Sequence, residues 1–146
     1  MIIDLFEIKK SGKQEQSFYF EYESASELST LPEVKVASPI KVSGNVTLLN
    51  AHSAYVECDV NFTLIGECTR CLKQTEKSFT AELDFECDAE SELVKVVNDK
   101  ILLDKIVEDT VILNMPINFL CKADCKGICF GCGVNLNDEN CKCNNE

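Results

Sequence analysis

Residues 55–65 read YVECDVNFTLI, in which apolar and polar side chains alternate at every second position. This period of two is typical of a β-strand with one buried face and one face in water. Residues 79–87, FTAELDFEC, repeat the alternation, so we predict two strands of one antiparallel sheet. Cys58 and Cys87 fall on the inward faces, and we interpret them as core residues because a free cysteine packs like a small hydrophobe.

The connection between these two strands contains Cys68-Thr69-Arg70-Cys71. A C-x2-C step lets two thiolates from one tight turn reach the same metal ion. We therefore predict a metal-binding knuckle at the tip of a hairpin.

Weaker patterns extend this arrangement towards both ends of the chain. They predict strands at 2–8, 18–22, 42–49 and 94–97, a helical turn at 24–28, and a turn at Asn98-Asp99. A helical period then follows, with the apolar or inward side chains Leu103, Ile106, Val107, Thr110 and Val111. We expect this helix to lie across the sheet and to end at Pro116.

The predicted fold class is α+β, an antiparallel β-sheet packed by one main helix with a zinc-clamped, cysteine-rich C-terminal tail. A partly closed barrel is the alternative, since an exposed edge strand needs covering. We expect a single domain over 1–146, with 1–97 mainly β-sheet, 98–116 helical and 117–146 a metal-binding tail.

Six of the ten cysteines lie in the last 26 residues. Four of them form a natural self-contained site: Cys129, Cys132, Cys141 and Cys143. The remaining two are candidates to join the hairpin pair in a second site: Cys68, Cys71, Cys121 and Cys125. A single zinc in the tail with four spare thiols stays open. Either zinc arrangement is structural by default, because an all-cysteine tetrahedral site has no open position for water.

Other uses of these cysteines fit the chain less well. Cys125-x3-Cys129-x2-Cys132 has the spacing that holds a four-iron cluster in radical enzymes, but 14 residues follow it and no substrate-binding domain accompanies it. A disulfide-exchange pair at Cys68 and Cys71 lacks an alternating βα pattern around it. His52 is the single histidine, and no motif orients it for a cysteine nucleophile. We therefore expect a protein that is not an enzyme and has no small-molecule substrate.

The net charge of −11 indicates that the molecule as a whole repels nucleic acid. Any contact with RNA must be local, and the segments around the cysteines are slightly basic through Arg70, Lys73, Lys122 and Lys126. No segment has the length of a membrane span or the features of a secretory signal, so we expect a cytoplasmic protein without a membrane partner. A reducing cytosol favours metal over disulfides for clustered thiols.

Several of these motifs together resemble the YceD family, which is named for large ribosomal RNA subunit accumulation. They are Cys68-Thr69-Arg70-Cys71-Leu72, the helical segment 108–113 before Pro116, and the tail segments 124–129, 132–137 and 141–143. The resemblance covers about residues 44–143. Ile128 and Phe130 depart from it, since the family pattern C-x-G-L-C-P-x-C-G has leucine and proline there.

The resemblance implies a small cytosolic factor needed for the synthesis, processing or stability of large-subunit ribosomal RNA, with no known reaction. The family positions carried onto this chain are Cys68, Arg70 and Cys71, Glu108 and Asp109 on the helix, and the six tail cysteines.

Two functional hypotheses follow. In the first, the zinc-clamped end contacts a precursor of large-subunit ribosomal RNA through Arg70, Lys73, Lys122 and Lys126. In the second, the acidic faces of the sheet and helix, including Glu108 and Asp109, bind a basic ribosomal protein without contacting RNA.

Overall fold

The computed structural model describes residues 1–23 and 28–143, and most of its regular structure is antiparallel β-sheet. The elements in chain order are β1 (Ile2–Asp4), α1 (Leu5–Lys10), β2 (Glu15–Tyr22), β3 (Val34–Leu48), β4 (Ala54–Glu67), β5 (Gln74–Cys87), β6 (Val96–Val97), β7 (Lys100–Leu102) and α2 (Asp104–Leu113). None of the helices in these two described ranges has the length and apolar character needed to cross a membrane.

The larger sheet is a meander with the strand order β2-β3-β4-β5. The two strands predicted from alternation are the long hairpin β4–β5, and Val60 pairs with Val42 on one side and Ala81 on the other. The predicted antiparallel sheet is therefore confirmed. The alternative of a partly closed barrel is not supported, because in the described chain the sheet ends at β2 and β5, which do not pair with each other.

Strand β3 is longer than the strand predicted at 42–49, because it begins at Val34. Its pairing with β4 shifts register between Ala37 and Lys41, the stretch of the strand that contains Pro39. Proline cannot donate a ladder hydrogen bond and is tolerated at such bulges. The buried side chains fall at even positions on both sides of the bulge, among them Val36 and Ile40. A proline within a run argues against a strand in a sequence, which is why the first half of β3 was not predicted.

The N-terminal strand predicted at 2–8 was too long. Only Ile2–Asp4 form β1, and α1 begins at Leu5, with the Asp4 side chain accepting a hydrogen bond from the Phe6 backbone N–H at 3.0 Å. An aspartate in this position satisfies one of the free N–H groups at a helix start. Leu5 and Ile8 are both buried, at the three-residue spacing of a helix.

The helix predicted within 98–116 was also too long, since Lys100–Leu102 form β7 and α2 spans Asp104–Leu113. The predicted turn is confirmed: Asn98 and Asp99 have φ values of 51° and 59° and connect β6 to β7. The second sheet has the order β1-β7-β6. The helical turn predicted at 24–28 falls largely on residues 24–27, outside the described part of the chain.

The core lies between the inward face of the larger sheet and the elements that cover it. Val107, Thr110 and Val111 of α2 are buried, and the helix packs against β4 and β5. Cys58 and Cys87 are buried core residues, as predicted, and burial raises the pKa of each thiol to about 11.

One side-chain hydrogen bond ties the edge strand β2 to helix α2. The Tyr22 hydroxyl donates to the Glu108 carboxylate, and this bond raises the pKa of Tyr22 to about 12. Tyr22 and Glu108 are 86 positions apart in the chain, so the bond joins two segments that are distant in sequence.

We expect Tyr22→Phe and Glu108→Ala each to lower the free energy of unfolding by about 1 kcal/mol, because each removes the same hydrogen bond. The double variant should lose no more free energy of unfolding than either single variant. The loss should shrink above pH 10, where the unfolded chain releases the phenol proton while folded Tyr22 retains it.

Urea denaturation of the four proteins of this cycle measures the coupling. Tyr19→Phe is the matched control, because Tyr19 donates to its near neighbour Glu21 on an exposed surface and should change stability little. Additive losses for Tyr22 and Glu108 would contradict the interpretation.

Candidate metal centres

Eight of the ten cysteines form two clusters of four thiols, and within each cluster all Sγ atoms lie within 4.8 Å of one another. The first cluster contains Cys68, Cys71, Cys121 and Cys125. The second cluster contains Cys129, Cys132, Cys141 and Cys143. The structure thus brings together the same two groups that the sequence spacing suggested.

The first cluster joins the tip of the β4–β5 hairpin to the tail. The hairpin turn is closed by the Leu72 N–H, which donates to the Cys68 carbonyl at 3.0 Å. The tail approaches it through the Thr69 N–H, which donates to the Phe119 carbonyl at 2.8 Å. Phe119 is almost completely buried, so the core holds the start of the tail beside the hairpin tip.

A second contact supports the first cluster from outside. Arg70 Nη1 donates to the Cys125 carbonyl at 3.0 Å, which connects the hairpin turn to the loop that carries a tail ligand. Arg70 therefore positions the two halves of the cluster against each other.

The second cluster is built on a tight turn within the tail. The Gly133 N–H donates to the Cys129 carbonyl at 2.9 Å, and the Cys129 N–H donates to the Val134 carbonyl at 3.0 Å. Gly133 has a φ of 76°, in the region that glycine adopts without strain. A Cβ atom at Gly131 would overlap Cys143 Sγ, so a side chain there would displace a candidate ligand.

The sulfur positions fit a tetrahedral ion. Metal–sulfur bonds of about 2.3 Å place the four sulfurs of such a site about 3.8 Å apart. In the first cluster the Sγ atoms of Cys68 and Cys125 are 3.6 Å apart, and those of Cys71 and Cys121 are 3.5 Å apart. In the second cluster, three Sγ separations lie between 3.3 and 4.0 Å. All ten cysteines are free thiols, so each cluster can hold a metal ion.

Backbone hydrogen bonds favour the thiolate form of two of the cysteines. Burial alone would raise the pKa of Cys68, but backbone hydrogen bonds from Cys71, Cys121 and Arg70 lower it to about 6. Backbone hydrogen bonds from Val134 and Lys142 lower the pKa of Cys132 to about 6. A thiolate is the form of cysteine that binds metal. Each cluster also contains a thiol that holds its proton: burial raises the pKa of Cys121 to about 12, and the hydrogen bond with Cys129 raises that of Cys143 to about 12.

One side chain that supports the first cluster was not predicted from the sequence. Asn137 Nδ2 donates to Cys125 Sγ at 3.4 Å, and its Oδ1 accepts from the Lys126 N–H at 2.9 Å. The hydrogen bond from Asn137 is the main cause that lowers the pKa of Cys125. An asparagine in a loop carries no recognisable spacing signal, so only the folded arrangement identifies it.

The predicted contact residues fall into two separate groups. The four cations Arg70, Lys73, Lys122 and Lys126 are exposed, and all lie in the loops that supply the first cluster. The two acids lie on α2 instead. Glu108 accepts the Tyr22 hydrogen bond, and Asp109 forms an exposed ion pair with Lys105 at 3.9 Å.

Comparison with known proteins gives one family. The profile of the YceD family, described as "Large ribosomal RNA subunit accumulation protein YceD", matches residues 56–146. This range contains β4 except its first two residues, together with β5, α2 and all the cysteines of both clusters.

Curated relatives match shorter segments. An uncharacterized protein of Mycobacterium tuberculosis and one of Mycobacterium bovis are each 33% identical over 85 residues, which cover 51% of this chain and 41% of theirs. The chloroplastic large ribosomal RNA subunit accumulation protein YCED homolog 1 of Arabidopsis thaliana is 41% identical over 44 residues, covering 30% of this chain and 14% of its own. No solved structure matches the chain.

We expect Gly131→Ala to weaken metal binding at the second cluster and leave the first unchanged, because the added methyl group displaces Cys143 Sγ. Titration of the metal-free protein with Co²⁺ measures this, since tetrahedral thiolate coordination colours the cobalt ion. Wild-type protein should bind two equivalents, and the variant should bind the second at least tenfold more weakly.

Gly12→Ala is the control for a glycine replaced away from the sulfurs: its φ of 74° strains the alanine backbone, but the added Cβ meets no atom within 4 Å and metal binding should not change. Equal weakening of both equivalents in Gly131→Ala, or an unchanged titration, would contradict this account of the second cluster.

Proposed function

The chain belongs to the YceD family, and from that premise we propose that it is a non-enzymatic cytoplasmic factor that supports the accumulation of large-subunit ribosomal RNA. Its partners in this proposal are a precursor of that RNA and the assembling particle. No membrane and no small-molecule substrate take part.

Zinc is the proposed ion in both clusters. Four thiolates in a tetrahedral arrangement suit zinc, and a zinc ion with four protein ligands has no open position for a substrate or an activated water. Its role here is to crosslink the chain. The first ion holds the tail on the hairpin tip, and the second holds the end of the tail on its own turn.

The observation that carries the RNA proposal is the position of the exposed cations. Arg70 and Lys73 come from the hairpin tip, whereas Lys122 and Lys126 come from the tail, and the first cluster joins these two loops. A chain with a net charge of −11 thus places four exposed cations in the two loops that the first cluster joins. Phosphate groups are bound by such local clusters of lysine and arginine.

A second candidate function rests on the acidic outward face of the β4–β5 hairpin. On the outward face of the β4–β5 hairpin, Glu57 lies directly opposite Asp84, and Asp59 lies directly opposite Glu82. Like charges in these positions reduce the stability of a sheet. A basic ribosomal protein bound to this face would relieve the repulsion, which favours the alternative of an acidic protein-interaction module.

Elemental analysis of protein purified without added metal should give about two zinc ions per chain, and Cys68→Ser should reduce this to about one, because the second cluster needs no residue from the hairpin. Cys58→Ala is the matched control, since Cys58 lies in the core outside both clusters. One zinc in the wild type would leave the first cluster as free thiols. Iron with broad visible absorption would refute a zinc protein.

Binding to a transcript of the large-subunit RNA precursor tests the function. We expect Lys73→Glu combined with Lys122→Glu to weaken binding at least tenfold and to reduce its salt dependence, because two phosphate contacts are lost. Lys100→Glu, an exposed lysine on β7, serves as the control and should bind almost normally. Tight binding to a basic ribosomal protein with no affinity for RNA would support the second candidate instead.

A further inference from the structure

A cleft of about 500 Å³ lies where the hairpin tip meets the tail. Its lining comes from both segments: Thr69, Arg70 and Leu72 from the hairpin, and Lys126, Ile128 and Phe130 from the tail. Gly127 lies where the two segments meet, and a Cβ atom there would lie 3.4 Å from the Arg70 carbonyl oxygen. The cleft therefore exists only when the tail is seated on the hairpin.

Two large apolar side chains at this cleft are exposed to solvent. Phe130 is fully exposed, and Leu72 is 58% exposed. Neither contributes to the core, and neither is a candidate metal ligand. Exposed apolar groups that line a cleft are typical of a binding site, whereas isolated ones are common on any surface.

Leu72 also has an unusual backbone conformation. Its φ is 60°, in the left-handed region that bulky side chains rarely adopt. Glycine or asparagine would end this turn with less strain. The leucine thus costs stability while it places an apolar side chain at the cleft.

The charge of the cleft is opposite to that of the whole molecule. Arg70 and Lys126 are its charged lining residues, and none of the described residues that line it is acidic. Arg70 is held in place by its hydrogen bond to the Cys125 carbonyl. A guanidinium has five N–H donors, so most of them remain available to a phosphate.

We propose that this cleft binds a short unpaired segment of RNA, with a base stacked on the Phe130 ring beside Leu72 and the adjoining phosphates on Arg70 and Lys126. The inference rests on the proposed RNA-binding function and assigns it a site and a substrate class. A positively charged groove with an exposed aromatic ring is the combination that binds single strands without strong sequence preference. Paired bases are stacked on each other, so a duplex offers no base to the ring.

Fluorescence anisotropy with a labelled single-stranded oligonucleotide of about ten uridines tests the site, using the zinc-loaded full chain. We expect Phe130→Ala to weaken binding at least about fivefold, since the stacking of one base is lost. The salt dependence should stay the same, because no charge is removed. Lys126→Gln should weaken binding and also lower the salt dependence by about one ion. A duplex of the same length should bind more weakly than the single strand.

Phe6→Ala is the matched control, because Phe6 is a 55% exposed phenylalanine on α1, outside the residues that line the cleft, and its loss should have no effect on binding. Zinc content and melting temperature of each variant show whether the clusters remain intact. Leu72→Gly gives a second variant that relieves backbone strain, and it should be more stable than wild type but bind the oligonucleotide less tightly.

Two negative results have different meanings. If the oligonucleotide binds and Phe130→Ala binds equally well, the stacking site is refuted while an RNA-binding function stands. If neither the oligonucleotide nor the ribosomal RNA precursor binds, the proposed function fails with it. Binding of a protein partner that depends on Phe130, without affinity for RNA, would also overturn this inference.

Discussion

The first thiol cluster is the constraint on which the arrangement of the molecule depends. It takes two ligands from the hairpin tip and two from the tail. Cys71 of the hairpin and Cys121 of the tail are 50 positions apart in the chain. The tail has little hydrophobic attachment of its own: within its described part, Phe119 is the large side chain that is fully buried. Ile117 and Phe130 are exposed instead. Metal coordination can supply the binding energy that apolar burial does not provide.

This attachment gives the molecule two ends of different character. The sheet has a complete apolar core beneath an acidic outer face, where the hairpin even sets carboxylates opposite one another. The metal-binding end is built from loops, with exposed cations and a cleft lined by apolar and basic side chains. A metal ion bound by four thiolates would hold these loops in place without a large core. Under the proposed function, recognition and stability would then depend on different parts of one chain.

Features set by neighbouring residues were predicted from the sequence, whereas contacts between distant residues were not. The alternation at 55–65 and 79–87 identified the central hairpin and its buried cysteines, because each strand has one buried face. Local irregularities were not predicted: β3 continues through Pro39, where no strand was expected, and α1 begins after Asp4, where a strand was expected. The eight candidate ligands were found from spacing alone. The support from Arg70 and Asn137 was not, because a hydrogen bond between distant loops has no sequence period.

The sequence by itself determined the sheet-forming hairpin, the main helix and the eight candidate ligands, since hydrophobic period and ligand spacing are properties of neighbouring residues. Only the tertiary structure decided that Cys68 and Cys71 meet Cys121 and Cys125, and that Glu108 joins Tyr22 across the domain. It also decided that Leu72 and Phe130, 58 positions apart in the sequence, line the same cleft. Such juxtapositions depend on how the chain folds back through its core, which no local pattern records.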